Sequence, residues 1–327
     1  MKQWIENKNV LFITTKNLDY LRNTQEISLL RRHALTCDVI GSGHKSYFRR
    51  LWYVYITLFV TRMSQYDTVF IGFAPQLILP FWGWKFRKVS IVIDFFISMY
   101  DTLCCDRRKI RENSLPGRIL HGLDEITLKK ADAIICDTKA HGRYFQEEFG
   151  VAADKLSTVY LQADVSIYYP RKLERPKYLD GKFVVLYFGS VLPLQGVDVV
   201  LKAMNMLKDC DKLQFFFVGP IQDKKLEVLR PISENIVYID WLEQDELAEY
   251  IDVADLCLAG HFCKSIQKAH RTIPGKAYIY QAMNKPMILG DNVANHELFD
   301  GDENVIFVEM GNERALANAI MQWSKRE

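Results

Sequence analysis

The feature that most constrains the fold of this chain is a rhythm. Short runs of β-branched and aromatic residues alternate with stretches of helical apolar spacing, and the alternation runs through the chain twice. Residues 9–14 (NVLFIT) form an apolar β-type run. A polar loop and a helical pattern over 26–35 follow, and strand character resumes at 38–40. Segments 68–71 (TVFI), 89–93 (VSIVI), 133–136 (AIIC) and 157–160 (STVY) continue the series, with helical patterns at 116–130 and 141–149 between them. Near-continuous apolar strands separated by helices predict a parallel sheet covered on both faces.

The rhythm restarts at 183–188 (FVVLYF). A helix over 197–207 and strands at 213–218, 236–239, 256–259, 286–289 and 305–308 follow, with a last helix at 312–324. Between the two series lies 168–181, which contains Pro170, Pro176, Gly181 and several charges, the composition of a linker. The 327 residues suffice for two domains of ordinary size. The expected fold is therefore α/β, two Rossmann-like, doubly wound parallel-sheet domains at 1–168 and 169–327, facing one another across a cleft. Ligands of such sheets bind beyond the carboxyl ends of the strands, so the loops after strands are where chemistry is expected.

Composition narrows the class. Seven cysteines with no C-x-x-C spacing argue against structural zinc and against a disulfide framework, and fit a reducing cytoplasm. Lys2 and Glu6 interrupt any early apolar run, so no signal peptide is expected. The apolar run at 51–60 is about half the length of a spanning helix. Net charge is only +2, but residues 1–165 carry 23 Lys/Arg against 17 Asp/Glu. Within 39–93 there are seven basic residues, one acid (Asp67) and thirteen aromatics. That mixture suits anionic lipid, where aromatic rings and cationic stems both anchor. Docking on a membrane surface through 44–88 is one expectation, and an aromatic core with a solvated basic rim is the other. No nucleic-acid partner is expected.

Three loops carry the chemical signal. Gly189 to Gly196 (GSVLPLQG) joins a strand to a helix, and its amides and helix end offer an anion about 0.3–1 kcal/mol. The stretch 268–276 (KAHRTIPGK) leads into another helix, with Pro274 and Gly275 at its start and Arg271 and Lys276 flanking it. A diphosphate needs at least two cations plus amides, and arginine supplies a bidentate fork. Third, Asp94 ends a strand and is followed by Ser98, Tyr100, Asp101, Thr102, Asp106 and Arg107. Asp94 and Asp101 are candidates for orienting a sugar or an acceptor hydroxyl or shuttling a proton. Asp106 reads as a helix cap or an ion-pair partner. Arg22, in the first strand-to-helix loop, is placed to meet an acceptor phosphate. His296 and Glu297 follow the strand at 286–289.

These loops resemble glycosyltransferase family 4, the large family of retaining GT-B enzymes. YFGSVLPLQGVDVVLKAM (187–204) is similar to the opening of that family's donor domain, and HRTIPGKAYIYQAMNKPMILGDNVANHELF (270–299) to its donor segment. IVIDFFISMYDT (91–102) with DRR (106–108), and ICDTKAHGRYFQEEFGV (135–151), resemble stretches of a bacterial subgroup. The resemblance implies a GT-B fold and a nucleotide-sugar donor held by the second domain. It implies no metal or other cofactor, retention of anomeric configuration, and a saccharide or lipid-linked acceptor in polysaccharide or glycolipid synthesis. The expected location is cytoplasmic, peripheral on the inner face of the cell membrane. It assigns donor roles to Gly189, Arg271, Lys276 and Glu297; Ser190, Gln195, Gly196, Gly219, Pro274 and Gly275 are the further donor-binding candidates, and Arg271 and Lys276 are placed on the leaving group. Arg22, Ser98, Tyr100 and Thr102 fall on the acceptor side, with Asp94 and Asp101 at the reacting centre.

The sequence also departs from the family. An Arg after the first glycine and a Lys before the second are common, and here Ser190 and Gln195 stand there. The usual pair of glutamates in the donor segment is replaced by Arg271 and Ile279. The family commonly continues beyond a helix such as 312–324 with helices that pack back on the first domain. A catalytically inactive GT-B scaffold or partner subunit is the alternative reading. A dehydrogenase fits the residues poorly, because no G-x-G-x-x-G follows the first strand.

Overall fold

The computed structural model describes residues 2–326, and the chain divides into two compact units, Met1–Leu161 and Gln162–Glu327. The first contains α1 (Lys2–Ile5), β1 (Asn9–Ile13), α2 (Leu21–His33), β2 (Thr36–Ile40), α3 (Tyr47–Val60) and β3 (Thr68–Ile71). It continues through α4 (Leu79–Trp82), β4 (Ser90–Asp94), α5 (Leu115–Lys130), β5 (Ala133–Cys136), α6 (Lys139–Phe149) and β6 (Leu156–Thr158). All strands are parallel, in the order β2-β1-β3-β4-β5-β6.

The strand residues alternate between two cores. Leu11, Ile13, Val69 and Ile71 pack with Val54 and Leu58 of α3, Leu128 of α5 and Phe145 of α6. Val10, Phe12, Phe70 and Val92 pack on the other face with Ile5 of α1 and Leu30 of α2. Both faces are thus covered, which is why the strands read as unbroken apolar runs. The strand order reverses between β1 and β3.

The second unit holds β7 (Phe183–Phe188), α7 (Val197–Leu207), β8 (Leu213–Val218), α8 (Lys224–Glu227), β9 (Ile236–Ile239) and α9 (Gln244–Val253). It ends with β10 (Leu256–Gly260), α10 (Gln267–Arg271), α11 (Gly275–Ala282), β11 (Met287–Gly290), α12 (Val293–Phe299), β12 (Val305–Val308) and α13 (Glu313–Trp323). Its parallel order is β12-β11-β10-β7-β8-β9. The chain enters in the middle at β7, winds out to β9, then returns to β10 on the other side. The reversal between β7 and β10 is the point at which doubly wound sheets open a ligand crevice. Val185, Phe215 and Leu258 pack there against Val200 and Met204 of α7 and Leu316 and Ile320 of α13.

Three segments differ from the sequence reading. Helix α2 begins at Leu21 rather than near residue 26, so Arg22 and Asn23 lie in its first turn and not in a loop. Both are buried, along with Glu26, and their polar partners keep that turn helical where periodicity shows no apolar face. The apolar run at 51–60 is the carboxyl-terminal part of α3. The stretch with linker composition is fastened to the second unit. Asp252 accepts from the backbone N–H groups of Arg171 (2.9 Å) and Leu173 (2.8 Å), and Arg175 forms a bidentate pair with Asp255. The unit boundary accordingly falls ahead of that stretch, at Leu161. Among the described residues, no helix is long and apolar enough to cross a membrane, and the seven cysteines carry no disulfide.

Candidate functional site

In the second unit the carboxyl ends of β7 and β8 approach closely. Gly189, just past β7, has φ +141°, and Gly219, just past β8, has φ +148°. A Cβ on Gly219 would stand 2.3 Å from the Gly189 carbonyl oxygen. Only glycine fits that contact, and it lets the two loops fold over the strand ends. The loops after β7, β8 and β9 then enclose a cavity of about 800 Å³. Its lining includes Phe188, Gly189, Ser190, Gly219, Asp240 and Trp241. The size is that of a small-molecule site. Apolar rings sit beside carboxylates and backbone groups, a surface suited to a nucleoside.

Lys276 lies against the same strand end. It is the second residue of α11, after Pro274 at the cap position and Gly275. Its ammonium is 3.8 Å from the centre of the Tyr187 ring, and a Cβ on Gly189 would be 3.1 Å from its Nζ. Lys276 is 5 % exposed, and its Nζ has no hydrogen-bond partner. Burial holds the amine well below the ordinary lysine value. A buried amine whose hydrogen-bonding capacity is unused at a strand's carboxyl end is costly unless an anion arrives.

The other donor-side candidates are placed as follows. Arg271 ends α10, half-buried. Glu297 lies in α12, half-buried. Ser190 is exposed at the pocket wall. Gln195 closes a 3-10 turn, accepts from the Phe262 N–H at 3.1 Å, and leaves its buried Oε1 without a partner. Gly196 starts α7 with φ +66°, pressed on the Phe262–Cys263 backbone, which makes it a packing glycine as well as a loop residue.

In the first unit a charged cluster sits beyond β1 and β4. Arg22 donates to both oxygens of Asp94, Nε at 2.8 Å and Nη2 at 3.0 Å, and to the Val159 carbonyl at 2.6 Å. Both side chains are almost fully buried. Burial opposes the guanidinium charge, but Asp94 outweighs it and Arg22 stays cationic. Glu26, one turn along α2, is 3.4 Å from Arg22 and equally buried. Burial first, then the adjacent Asp94 carboxylate, raise its carboxyl well above the usual range. Neither Glu26 oxygen has a donor to accept from. Both facts follow if Glu26 is protonated, because a neutral carboxyl can donate to Asp94. Arg22 is therefore committed to Asp94 in this structure rather than presented to a ligand. Glu26 was not singled out in the sequence: its partner Asp94 is distant along the chain.

A second organising residue is also absent from the sequence reading. Asp124 of α5, fully buried, accepts from Ser98 Oγ (2.6 Å) and from the N–H groups of Tyr100 (2.9 Å) and Met99 (3.2 Å). Burial pushes its carboxyl up despite these bonds. Ser98 Oγ in turn accepts from the Asp101 N–H at 2.9 Å, starting a one-turn π-helix at Asp101–Asp106. Ser98 thus shapes the loop that carries Asp101 and Thr102, both partnered, with Asp101 buried. Tyr100 packs edge-on against His121 with centroids 5.0 Å apart, and burial lifts its hydroxyl to about 12. Among the described residues, no group of three or more His, Cys, Asp or Glu side chains is arranged to hold a metal ion.

Two parallel doubly wound units, the second with a glycine-edged pocket and a buried lysine at its strand ends, define the two-domain Rossmann-like architecture called GT-B. Residues 182–326 match the family model described as glycosyl transferases group 1, and the enzyme class is glycosyltransferase. Among solved structures the chain is similar to HepE of Anabaena in complex with UDP. Identity is 13 %, coverage 96 % of this chain and 89 % of that one, and the TM-score 0.67. It is similar to sucrose-phosphate synthase of Thermosynechococcus elongatus at 14 % identity, covering 97 % and 91 %, with TM-score 0.67. WaaG, a glycosyltransferase involved in lipopolysaccharide biosynthesis, gives 12 %, 97 % and 93 %, and 0.62. At these identities the likeness is one of fold. No curated protein matches the chain.

Proposed function

We propose that the protein is a retaining transferase of family 4 type that moves a sugar from a nucleotide-sugar to a saccharide or lipid-linked acceptor in polysaccharide or glycolipid synthesis, at the cytoplasmic face of a membrane and without a metal. One observation carries the reading: the buried, unpartnered Lys276 Nζ lies beside Gly189, and Gly189 lines a nucleoside-sized pocket. The nucleoside would occupy the pocket after β7–β9, and its diphosphate would lie over Gly189 and take up the three donors of Lys276. Transfer would break the bond between the anomeric carbon and the diphosphate oxygen and form one from that carbon to an acceptor hydroxyl oxygen, whose proton passes to the departing diphosphate. Negative charge grows on the departing diphosphate, and a protonated Lys276 in a site of low dielectric stabilises it. Arg271 would supply the second cation. Asp94 and Asp101 would act on the acceptor side, with Arg22 positioning Asp94.

HepE was solved with UDP and with UDP-glucose, so UDP-sugars are the first donors to test. A melting-temperature screen of UDP-, GDP- and dTDP-sugars, followed by donor hydrolysis with and without a chelator, tests the proposal. One nucleotide is expected to stabilise the fold by about 2.7 kcal/mol at a hundredfold excess over Kd, and its sugar to be hydrolysed with chelator present. Ser190 and Gln195, neutral where the family often carries cations, favour the second reading of an inactive scaffold. Absence of any nucleotide effect would establish that reading instead.

A further inference from the structure

The first unit carries an apolar surface that its own core does not use. Helix α3 buries one face, Val54 and Leu58, in the core. Its opposite face presents Phe48 (78 % exposed), Trp52 (64 %), Ile56 and Phe59 (72 %). These residues recur at the spacing of a single helical stripe. Charged and polar residues normally occupy the solvent side of such a helix, and here Arg49 is the one charge on it. Lys85 donates to the Leu58 and Phe59 carbonyls at the end of α3. That clamp brings α4, with exposed Phe81, and the turn after it, with exposed Trp84, alongside the stripe.

The charges around this surface have one sign. Lys45, Arg49, Arg62, Arg87 and Lys88 are exposed near it, and there is no Asp or Glu between residues 39 and 66. Asp67, the next acid along the chain after that stretch, accepts from the Asn9 backbone and side chain. A two-fold contact between copies would set this cationic rim against itself. Anionic lipid offers the opposite charge, and aromatic rings are favoured at the depth of the headgroups.

We propose that the outward stripe of α3, with the Phe81–Trp84 segment, is seated in the interfacial layer of an anionic bilayer, while the basic rim engages the headgroups. The helix lies in the membrane plane and does not cross it. This deepens the proposed function by placing the transferase where a lipid-linked acceptor would be, and it rests on that reading only for what is delivered. The docking itself requires no donor.

The test is flotation of the full chain on vesicles of phosphatidylcholine alone or with about one-third phosphatidylglycerol. Flotation is expected with the anionic vesicles, weakening as salt rises. Trp52→Ser/Phe59→Ser and Arg49→Glu/Arg62→Glu are each expected to weaken it about tenfold or more. All four side chains are exposed, and melting temperatures check that both variants fold. Equal binding to both vesicle types, no flotation, or unchanged flotation of the variants overturns the proposal. So does a dimer in solution that Trp52→Ser/Phe59→Ser dissociates, since the face then joins two copies. Donor hydrolysis without vesicles is expected to be unaffected in both variants. Its absence in every form, with flotation intact, would count against the transferase reading alone.

Discussion

The Nζ of Lys276 stands 3.1 Å from where a Cβ on Gly189 would be. The strand end and the helix start are thus fitted to one another through a missing side chain. An alanine at Gly189 must adopt φ +141° and push the amine aside. Gly189→Ala is expected to cost about 1–3 kcal/mol of stability and to weaken nucleotide affinity. Denaturant unfolding and nucleotide titration measure both, and an alanine variant equal to native in both would show that the close approach is dispensable.

The empty protein is expected to be less stable because of Lys276. Burial lowers its pKa in the folded state, whereas in the unfolded chain it holds a proton up to about pH 10.4. The unfolded state binds more protons over that window, so this residue makes stability rise with pH. Lys276→Met should remove that slope and raise the melting temperature of the empty protein. It should also lower donor turnover about 10²–10³-fold, the size of losing one electrostatic donor to a transition state.

A diphosphate arriving at Lys276 favours the charged form that burial disfavours. Binding of the active nucleotide is therefore expected to take up a proton at pH values between the Lys276 pKa of the empty protein and that of the loaded one. Titration calorimetry in two buffers of different ionisation heat reads that uptake directly. Uptake that persists in Lys276→Met would assign the proton to another group.

Glu26 has the opposite sign. Its carboxyl is raised in the fold, chiefly by burial, and titrates near pH 4.3 when unfolded. Between those values the folded state binds more protons, so the contribution of Glu26 is fully present below the unfolded pKa and fades as pH rises through the folded one. Glu26→Gln should flatten that decline and leave the protein more stable at pH 8 than native. A glutamine variant less stable at pH 8 would refute the protonated carboxyl.

The Arg22–Asp94 pair gives a further expectation. Asp94→Asn leaves a guanidinium buried without its counter-charge, a loss of about 3–5 kcal/mol. Arg22→Met/Asp94→Leu removes both charges and should recover much of it. Urea denaturation of the cycle separates the structural part of any activity loss from the catalytic part. Equal stability of the single and double variants would mean that the ion pair contributes nothing.

The two-domain architecture was legible because parallel sheets bury both strand faces, so that VLFI, FVVLYF and LQFFFV stand out whatever surrounds them. The turns after β7 and before α11 were legible for a related reason: glycines and a proline mark where helices begin. Arg22 was misplaced in a loop because the first turn of α2 buries polar side chains, and apolar periodicity is blind to such a turn. Asp124 escaped notice because it acts on residues 98–100 across the fold, and sequence spacing carries no trace of that. Asp240 and Trp241 at the end of β9 obey the same strand-end rule as Asp94 and were within its reach.

The sequence by itself determined the winding of two doubly wound units, since local apolar patterning decides which segments pair and cover one another. It also determined the chemistry available at the strand ends, including the neutral Ser190 and Gln195. Only the tertiary structure decided which charges are spent and which are kept. It joins Arg22 to Asp94 and leaves Lys276 without a partner, because desolvation and pairing depend on neighbours that the chain brings together only when folded.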